Sequence, residues 1–476
     1  MKRAIALSLG LLLSAEAAWS EDLLAVYERA LVNDPQIREA DANRRASLES
    51  KPQALAALLP QLSGSASRQK DSTSGPSTRV FVLNGVLTPS NNTGEGDQTN
   101  KRWSIDLRQS VFSWSNWVAL RRADRQVAQA EADYQAAAQA LITRVATGYF
   151  NVLAAQDTVE AQQSALDSIS RQLEQAEKRF EVGLIAITDV QEAKAARDSA
   201  AAAVIAAKRQ LASNQELLRE ITGEEYATLV RPGEGIPLRS PDPIDEAKWV
   251  ESSMQQNLAL ISSRLAADIA RDNVRSAFGG HLPEVTLSAS KSNSTLDSET
   301  RLAAGGRVTT NSDQDDDTYT LQVTVPLFSG GATQSRVRQS EFQWQAAKER
   351  LTRVSRQTER QARDAYLGVI SEISRVQALR QALESSQTAL KATEAGYEVG
   401  TRTAVDVLAA RGTLVQAQTN YARSRYDYLL NVLNLRLAAG TLDKAALAEV
   451  NGWMTAPAPP AGTAAPAAAQ PAPTKP

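Results

Sequence analysis

The sequence has no cysteine and a single histidine in 476 residues. The first absence excludes disulfides, thiolate metal sites, iron–sulfur clusters and cysteine nucleophiles, and leaves the redox compartment open. The second excludes the usual two- or three-histidine zinc site and any histidine pair for proton relay within one subunit. Aromatic residues are scarce too, at 5%. Hydrophobic residues reach 42%, but alanine supplies much of that fraction, beside abundant Gln, Arg, Glu and Ser. Such a vocabulary suits long helices packed through small side chains, and argues against the roughly three globular cores that length alone suggests. With 52 basic and 54 acidic residues the net charge is -2, so no global basic field points to nucleic acid. There is neither a phosphate-cradling glycine loop ending in Lys-Ser/Thr nor a Gly-x-Ser-x-Gly elbow. The chain reads as a non-enzyme without cofactor or metal.

What is present begins with Met1-Lys2-Arg3, an apolar run from Ala4 to Leu13, and small residues around Ala18-Trp19-Ser20. This is the pattern of a cleaved secretory signal over 1–20, with Ala15-Glu16-Ala17 as an alternative cleavage site. No later stretch approaches the roughly 18 continuous apolar residues of a membrane-spanning helix. A mature chain that enters a membrane must do so as strands. At the other end, 454–476 is an Ala/Pro-rich tail expected to be disordered.

Between these ends the chain repeats itself. Phe180-Glu181-Val182-Gly183 returns at an offset of 217 as Tyr397-Glu398-Val399-Gly400, and Tyr149, Asp189-Val190 and Leu218-Arg219 return at that offset as Tyr366, Asp406-Val407 and Leu435-Arg436. Leu59-Pro60 and Leu282-Pro283 are 223 apart, so an intervening segment is shorter in the second copy. Two copies, 21–230 and 244–453, joined by a breaker-rich linker over 231–243, indicate duplication.

Within each copy apolar residues recur every seven. Val145, Val152, Val159, Leu166, Leu173 and Phe180 are answered by Val369, Val376, Leu383, Leu390 and Tyr397, a coiled-coil signal, with a stutter-like phase shift near Leu141. From Ser115 to Phe180 there is no proline and only Gly148, which permits a helix of roughly 65 residues, about 100 Å long. Gly183 and Gly400 sit where such a helix needs a residue free to adopt positive φ. Helical hairpins are therefore predicted over 115–222 and 332–438, turning at 181–188 and 398–405.

Ahead of each hairpin the period changes to two. Trp103, Ile105, Leu107 and Val111 alternate with polar residues, as do Tyr319, Leu321, Val323 and Val325. Strand pairs are predicted at about 61–69 with 102–112 and 283–291 with 318–328, separated by long polar loops at 69–101 and 291–317. An isolated amphipathic hairpin reads first as the lid of a globular core. The secretory signal, flanking aromatics and polar opposite face turn that reading toward a transmembrane barrel. Four strands cannot close one, since the smallest outer-membrane barrels have eight, and an open edge in lipid strands backbone polar groups. Three chains would supply twelve.

Gly396 to Leu408, Val182 to Gln191 and Val325-Pro326-Leu327-Phe328-Ser329-Gly330-Gly331 resemble the signature segments of the TolC family of outer-membrane efflux proteins, a likeness running from Asp22 to about Trp453. The resemblance implies a mainly α fold with β: coiled-coil hairpins forming a trimeric periplasmic α-barrel, a mixed equatorial belt, and a shared twelve-stranded barrel in outer-membrane lipid. It also implies function, as the passive exit duct of tripartite efflux or type I secretion systems, carrying drugs or secreted proteins from a periplasmic adaptor and an inner-membrane pump or ABC exporter. Its competitors from the residues are an envelope coiled-coil structural protein or adhesin, and a periplasmic adaptor.

The resemblance further implies site residues. A closed periplasmic gate is held by Thr188 and Asp189 against Tyr397 and Arg402, with Gln172 and Glu394 as a further intersubunit link. Bonds of about 1 to 3 kcal/mol each are weak enough for an adaptor to break. Asp406 matches the family's aperture aspartate, and three copies would raise one another's pKa as like charges do. The second aspartate of that pattern is Ala409 here. Val182, Gly183, Leu184, Val399, Gly400 and Thr401 form the adaptor-docking tips. Without the resemblance, Thr188 or Asp189 reads as an N-terminal cap of the second helix. Asp313, Asp315, Asp316 and Asp317 lack the glycine and glutamate of a calcium loop and read as an outer loop. His281 reads as a structural turn residue.

Overall fold

A computed structural model describes residues 21–83, 85–226, 228–233, 236–302 and 306–455. The predicted signal segment and everything after residue 455 lie outside them. First come α1 (Leu23–Asn33), α2 (Pro35–Leu48) and α3 (Ser50–Ala56), then the strands β1 (Gln61–Leu83) and β2 (Val86–Phe112). The helices α4 (Trp114–Glu181) and α5 (Ile187–Thr222) follow, then β3 (Arg231–Pro232), α6 (Glu246–Gln256) and α7 (Leu258–Phe278). Next are β4 (Glu284–Leu302), β5 (Arg307–Thr324), α8 (Ala332–Glu398) and α9 (Ala404–Ala439), and last α10 (Lys444–Asn451) and β6 (Met454–Thr455). Among the described residues no helix is long and apolar enough to cross a membrane. The chain divides into two compact units, one of residues 43–132 and 261–354, the other of the remainder.

The first unit holds a four-stranded antiparallel sheet in the order β1-β2-β4-β5. Leu62, Leu107, Ala289 and Tyr319 form one row across it. On their face Trp103, Ile105, Leu287, Leu321 and Val323 are exposed, as side chains of one pleat must be when nothing in the chain covers them. The opposite face is a polar network. Ser104 and Ser290 donate to the Asp106 carboxylate at 2.8 and 2.6 Å, and Ser65 and Ser104 lie 2.9 Å apart.

The strands are longer than predicted. The long polar loops at 69–101 and 291–317 are instead strand, because β1 and β2 stay paired from Gln61↔Arg108 to Leu83↔Val86, and β4 and β5 from Glu284↔Thr324 to Arg301↔Arg307. Backbone ladder bonds form whatever the side chains, so a Ser/Thr/Asn/Asp stretch that is polar on both faces pairs without any alternation to betray it. The aspartates at 313, 315, 316 and 317 accordingly sit on β5 and not in a loop. The fourth strand also stops at Thr324 and not at 328, two residues before Pro326, whose ring nitrogen has no proton for a ladder. Beneath the sheet, Asp272 of α7 is fully buried and accepts from Arg121, Arg125 and Arg275, which ties α7 to the start of α4. His281 ends a 3₁₀ turn before β4, its ring edge-on to Phe278 at 5.8 Å.

The second unit contains the core. Leu141, Val145, Tyr149 and Leu153 of α4 pack with Leu23 and Val26 of α1, Leu429 and Leu433 of α9 and Leu447 of α10, all essentially inaccessible. Here α4 buries neighbours in pairs, Leu141-Ile142, Val145-Ala146 and Tyr149-Phe150. Its apolar face is thus wider than a two-in-seven coiled-coil seam, because it serves several partners at once. Asp22 caps α1 through the Ala25 amide at 2.8 Å and accepts from Asn451 of α10 at 2.8 Å.

The linker 231–243 is tied down at points along its length: β3 pairs with β6, and Tyr428 Oη accepts from the Arg239 amide at 2.8 Å, while Tyr149 Oη donates to the carbonyl of Val230 just before it at 2.7 Å. The tail 454–476 likewise begins with two paired residues. Both are long-range pairings that breaker-rich composition cannot reveal.

Candidate functional site at the hairpin tips

The turn after α4 and the turn after α8 have one geometry. Gly183 and Gly400 take φ of 76° and 79°. Gly183 N donates to Phe180 O at 2.8 Å and Leu184 N to Arg179 O at 2.9 Å; 217 residues on, Gly400 N donates to Tyr397 O at 3.1 Å and Thr401 N to Gly396 O at 2.8 Å. These paired bonds satisfy the last helical carbonyls and need a left-handed residue at the glycine. They fix the tips, so Val182, Leu184 and Val399 stand 70%, 73% and 75% exposed on turns that cannot fold them away.

The second helix of each hairpin starts differently. Ala186 holds the N-cap position of α5 and makes no side-chain cap, so neither Thr188 nor Asp189 is the cap that their position suggested. At α9, Thr403 and Asp406 make a capping box. Thr403 Oγ1 accepts from the Asp406 amide at 3.2 Å, and the Asp406 carboxylate accepts from the Thr403 amide at 2.9 Å and hydroxyl at 3.0 Å. Those bonds, the backbone one first, hold the Asp406 carboxyl below the usual carboxylate range. Within one chain this opposes the upward shift expected from three converging copies. A depressed folded-state pKa stabilises above the unfolded pKa and is lost as pH falls through the folded one. Amides of the first turn of α9 should therefore exchange several-fold faster below that pKa than at neutral pH, after correction for intrinsic rates. Thr403→Ala should remove most of the difference; an unchanged pH dependence would refute the box.

Among the described residues no hydrogen bond or ion pair joins Thr188 or Asp189 to Tyr397 or Arg402, or Gln172 to Glu394. Each has other surroundings in the single chain. Glu394 accepts from Arg411 of α9 at 2.5 Å, the Gln172 side-chain oxygen is buried without a hydrogen-bond partner, and the Arg179 guanidinium of α4 lies 5.7 Å from the Tyr397 ring centre. Arg402 folds back over Gly396, where a Cβ would meet its Cγ at 2.8 Å.

Arg179 and Arg411, and the part Gly396 plays beside Arg402, are not named as site features from the sequence. Two of them had a signal. At the offset of 217, Gly396 stands where the first copy has Arg179, and Arg402 where it has Ile185. The glycine makes room for the arginine beyond the turn. Arg411 had none, because its pairing with Glu394 depends on how two antiparallel helices face each other. No group of three or more His, Cys, Asp or Glu among the described residues could hold a metal.

The model of a family described as outer membrane efflux protein matches residues 26–224 and 249–441. The chain is 36% identical over 445 residues to the outer membrane protein TolC of Vibrio cholerae, covering 92% of this chain and 95% of that protein. It is 36% identical over 466 residues to TolC of Escherichia coli, covering 96% and 90%, and 29% identical over 439 residues to the alkaline protease secretion protein AprF of Pseudomonas aeruginosa, covering 92% and 88%. Among solved structures, the outer membrane protein VceC of Vibrio cholerae superposes with a TM-score of 0.69 at 21% identity, over 88% of this chain and 96% of that one.

Proposed function

Because this chain belongs to the outer membrane efflux protein family, we propose that three copies close their sheets into one twelve-stranded barrel and gather their helical hairpins into a tunnel ending at the tips. The protein is an outer-membrane channel with a long periplasmic helical part, a passive exit duct for efflux and secretion that catalyses no reaction. It works with an adaptor and a pump. Its two homologous halves, repeated at an offset of 217, arose by duplication.

One observation carries the sharing of a barrel between copies: among the described residues the sheet has an exposed apolar face and two edges without a partner strand, β1 and β5. In lipid such edges leave backbone groups unsatisfied, and pairing with further copies satisfies them. The apolar stretch from Trp103 to Val111 is nine residues, close to the 9–11 that a tilted strand needs to span a bilayer. An adhesin or envelope coiled coil has no use for such a face. The exposed Val182, Leu184 and Val399, with Gly183, Gly400 and Thr401, offer the adaptor apolar contacts on rigid turns. Thr188, Asp189, Tyr397 and Arg402 link neighbouring hairpins when the tunnel is closed, and Gln172 and Glu394 link neighbouring copies.

Three Asp406 carboxylates line the aperture as a single acidic ring, without a second tier because position 409 is alanine. In planar bilayers the protein should conduct with cation preference and be blocked weakly by multivalent cations. Asp406→Asn should lower both the preference and the block. No conductance overturns the duct, and selectivity unchanged in the variant overturns the ring.

A further inference from the structure

We propose that the β1 edge of one copy and the β5 edge of the next are matched by opposite charge, basic on β1 and acidic on β5, which limits the register of the seam between them. This inference rests on the shared-barrel reading. The face that carries Leu62, Trp103, Leu287 and Tyr319 continues past the apolar stretch along all four strands. On it β1 presents Arg68 and Lys70, and β5 presents Asp317, Asp315 and Asp313. Hydrogen bonds confirm the shared face: Ser72 donates to Asp97 at 2.5 Å, and the Asn293 amide donates to Asp313 and Asp315 at 2.9 and 3.0 Å. All five charged residues are exposed.

Among the described residues, three of these five charges, Arg68, Asp313 and Asp315, form no ion pair. Asp317 has Lys291 at 3.3 Å. Among the described residues Asp313 and Asp315 receive neutral donors alone, the Asn293 amide and, for Asp313, the Thr295 hydroxyl at 3.4 Å. Arg68 stands directly opposite Lys101 in the β1–β2 register, a like-charge pair that is unfavourable unless an anion joins it. Lys101 itself turns to Asp297 at 3.5 Å. Lys70 stands opposite Thr99 and is attracted by the Asp97 carboxylate on the same face, which also accepts from Ser72 at 2.5 Å.

A seam in this region has a specificity problem. The strands are polar on both faces and rich in Ser, Thr and Asn, so no buried apolar set penalises a slip, and an open edge accepts almost any strand. Charge supplies the missing discrimination. Copies inserted in one orientation with the same face to lipid can join only β1 to β5, so orientation fixes the partner edge and charge has only the register to set. Joining β1 to β5 of the next copy continues the antiparallel alternation and places opposite charges within cross-strand distance. Three aspartates at every second residue span about 13 Å, so the opposed pairs are most numerous over a narrow window of registers. The contact is heterologous and repeats from copy to copy, as ring closure requires.

The test uses the full-length chain in outer membranes and reads the trimer fraction by native mass and by heat-modifiable gel mobility. Arg68→Glu with Lys70→Glu, or Asp313→Lys with Asp315→Lys and Asp317→Lys, should each lower that fraction about tenfold, and the two sets combined should restore it to within about twofold of the unmodified chain. Neutral sets, Arg68→Gln with Lys70→Gln and the three aspartates to Asn, guard against reversed sets that fail to fold. In them the temperature of trimer dissociation should lose its dependence on salt. Reversed sets with an unchanged trimer fraction, a combined set without recovery, or neutral sets that keep the salt dependence overturn the proposal. An unmodified chain that is monomeric overturns the shared barrel and the seam together, whereas a trimer indifferent to these charges overturns the seam alone.

Discussion

Gly440→Ala should destabilise the helical unit by about 3 kcal/mol or more and sharply lower the yield of folded protein in membranes. Gly440 ends α9 with φ of 77°, where an alanine costs about 1–2 kcal/mol from its Cβ alone. The larger penalty is steric. A Cβ there would collide with the Gln256 carbonyl oxygen and lie 2.8 Å from the Asn257 nitrogen, and both are backbone atoms that cannot swing aside. The surroundings hold that backbone in place. Ser253 Oγ donates to Ala438 O at 2.6 Å, the Asn257 amide to the same oxygen at 3.2 Å, and the Gln139 amide to Gly440 O at 3.2 Å and Leu442 O at 3.0 Å. Gly412, within the same helix, is the control. It lies in regular helix, and a Cβ at that position would meet no atom within 4 Å, so Gly412→Ala should stabilise by about 0.5–1 kcal/mol through helix propensity. Thermal unfolding of the two variants should shift in opposite directions; two shifts of the same sign would contradict the packing at the end of α9.

The second large effect is on the gate. Tyr397→Phe combined with Arg402→Ser should raise single-channel conductance several-fold in planar bilayers. Two links of about 1 to 3 kcal/mol each, lost together, move a closed-to-open ratio by roughly thirtyfold to more than ten-thousandfold. The structure makes the choice of variants informative. Phenylalanine keeps an aromatic face for Arg179, which lies 5.7 Å from the Tyr397 ring centre, and removes only the phenol oxygen. Arg402→Ser removes the stem that packs over Gly396 as well as the guanidinium. If Tyr397→Phe alone leaves conductance unchanged while Arg179→Ala raises it, the ring contact and not a phenol hydrogen bond holds the gate. Conductance equal to the unmodified channel in the double variant would remove both residues from the gate.

The tips were legible because their code is local. A glycine at the end of a heptad run must take positive φ, and the chain states this twice, at Gly183 and Gly400. The residues proposed for the gate were suggested by resemblance alone. Within the chain Thr188 and Asp189 find neither Tyr397 nor Arg402, while Glu394 finds Arg411, a partner that no spacing announces. Asp406 shows how one residue can answer two readings: the capping box is a local fact of Thr403-x-x-Asp406, and the ring would need three chains.

Residue order was enough for the repeat, the two helical hairpins, their turns and the apolar parts of the strands, because periodicity and glycine placement are written in near neighbours. How far the strands run, the pairing of β3 with β6, and which arginines meet Tyr397 and Glu394 emerged only in three dimensions. Those contacts join residues far apart in the chain through backbone ladders and facing helices, and a polar ladder forms without any hydrophobic period that a sequence could display.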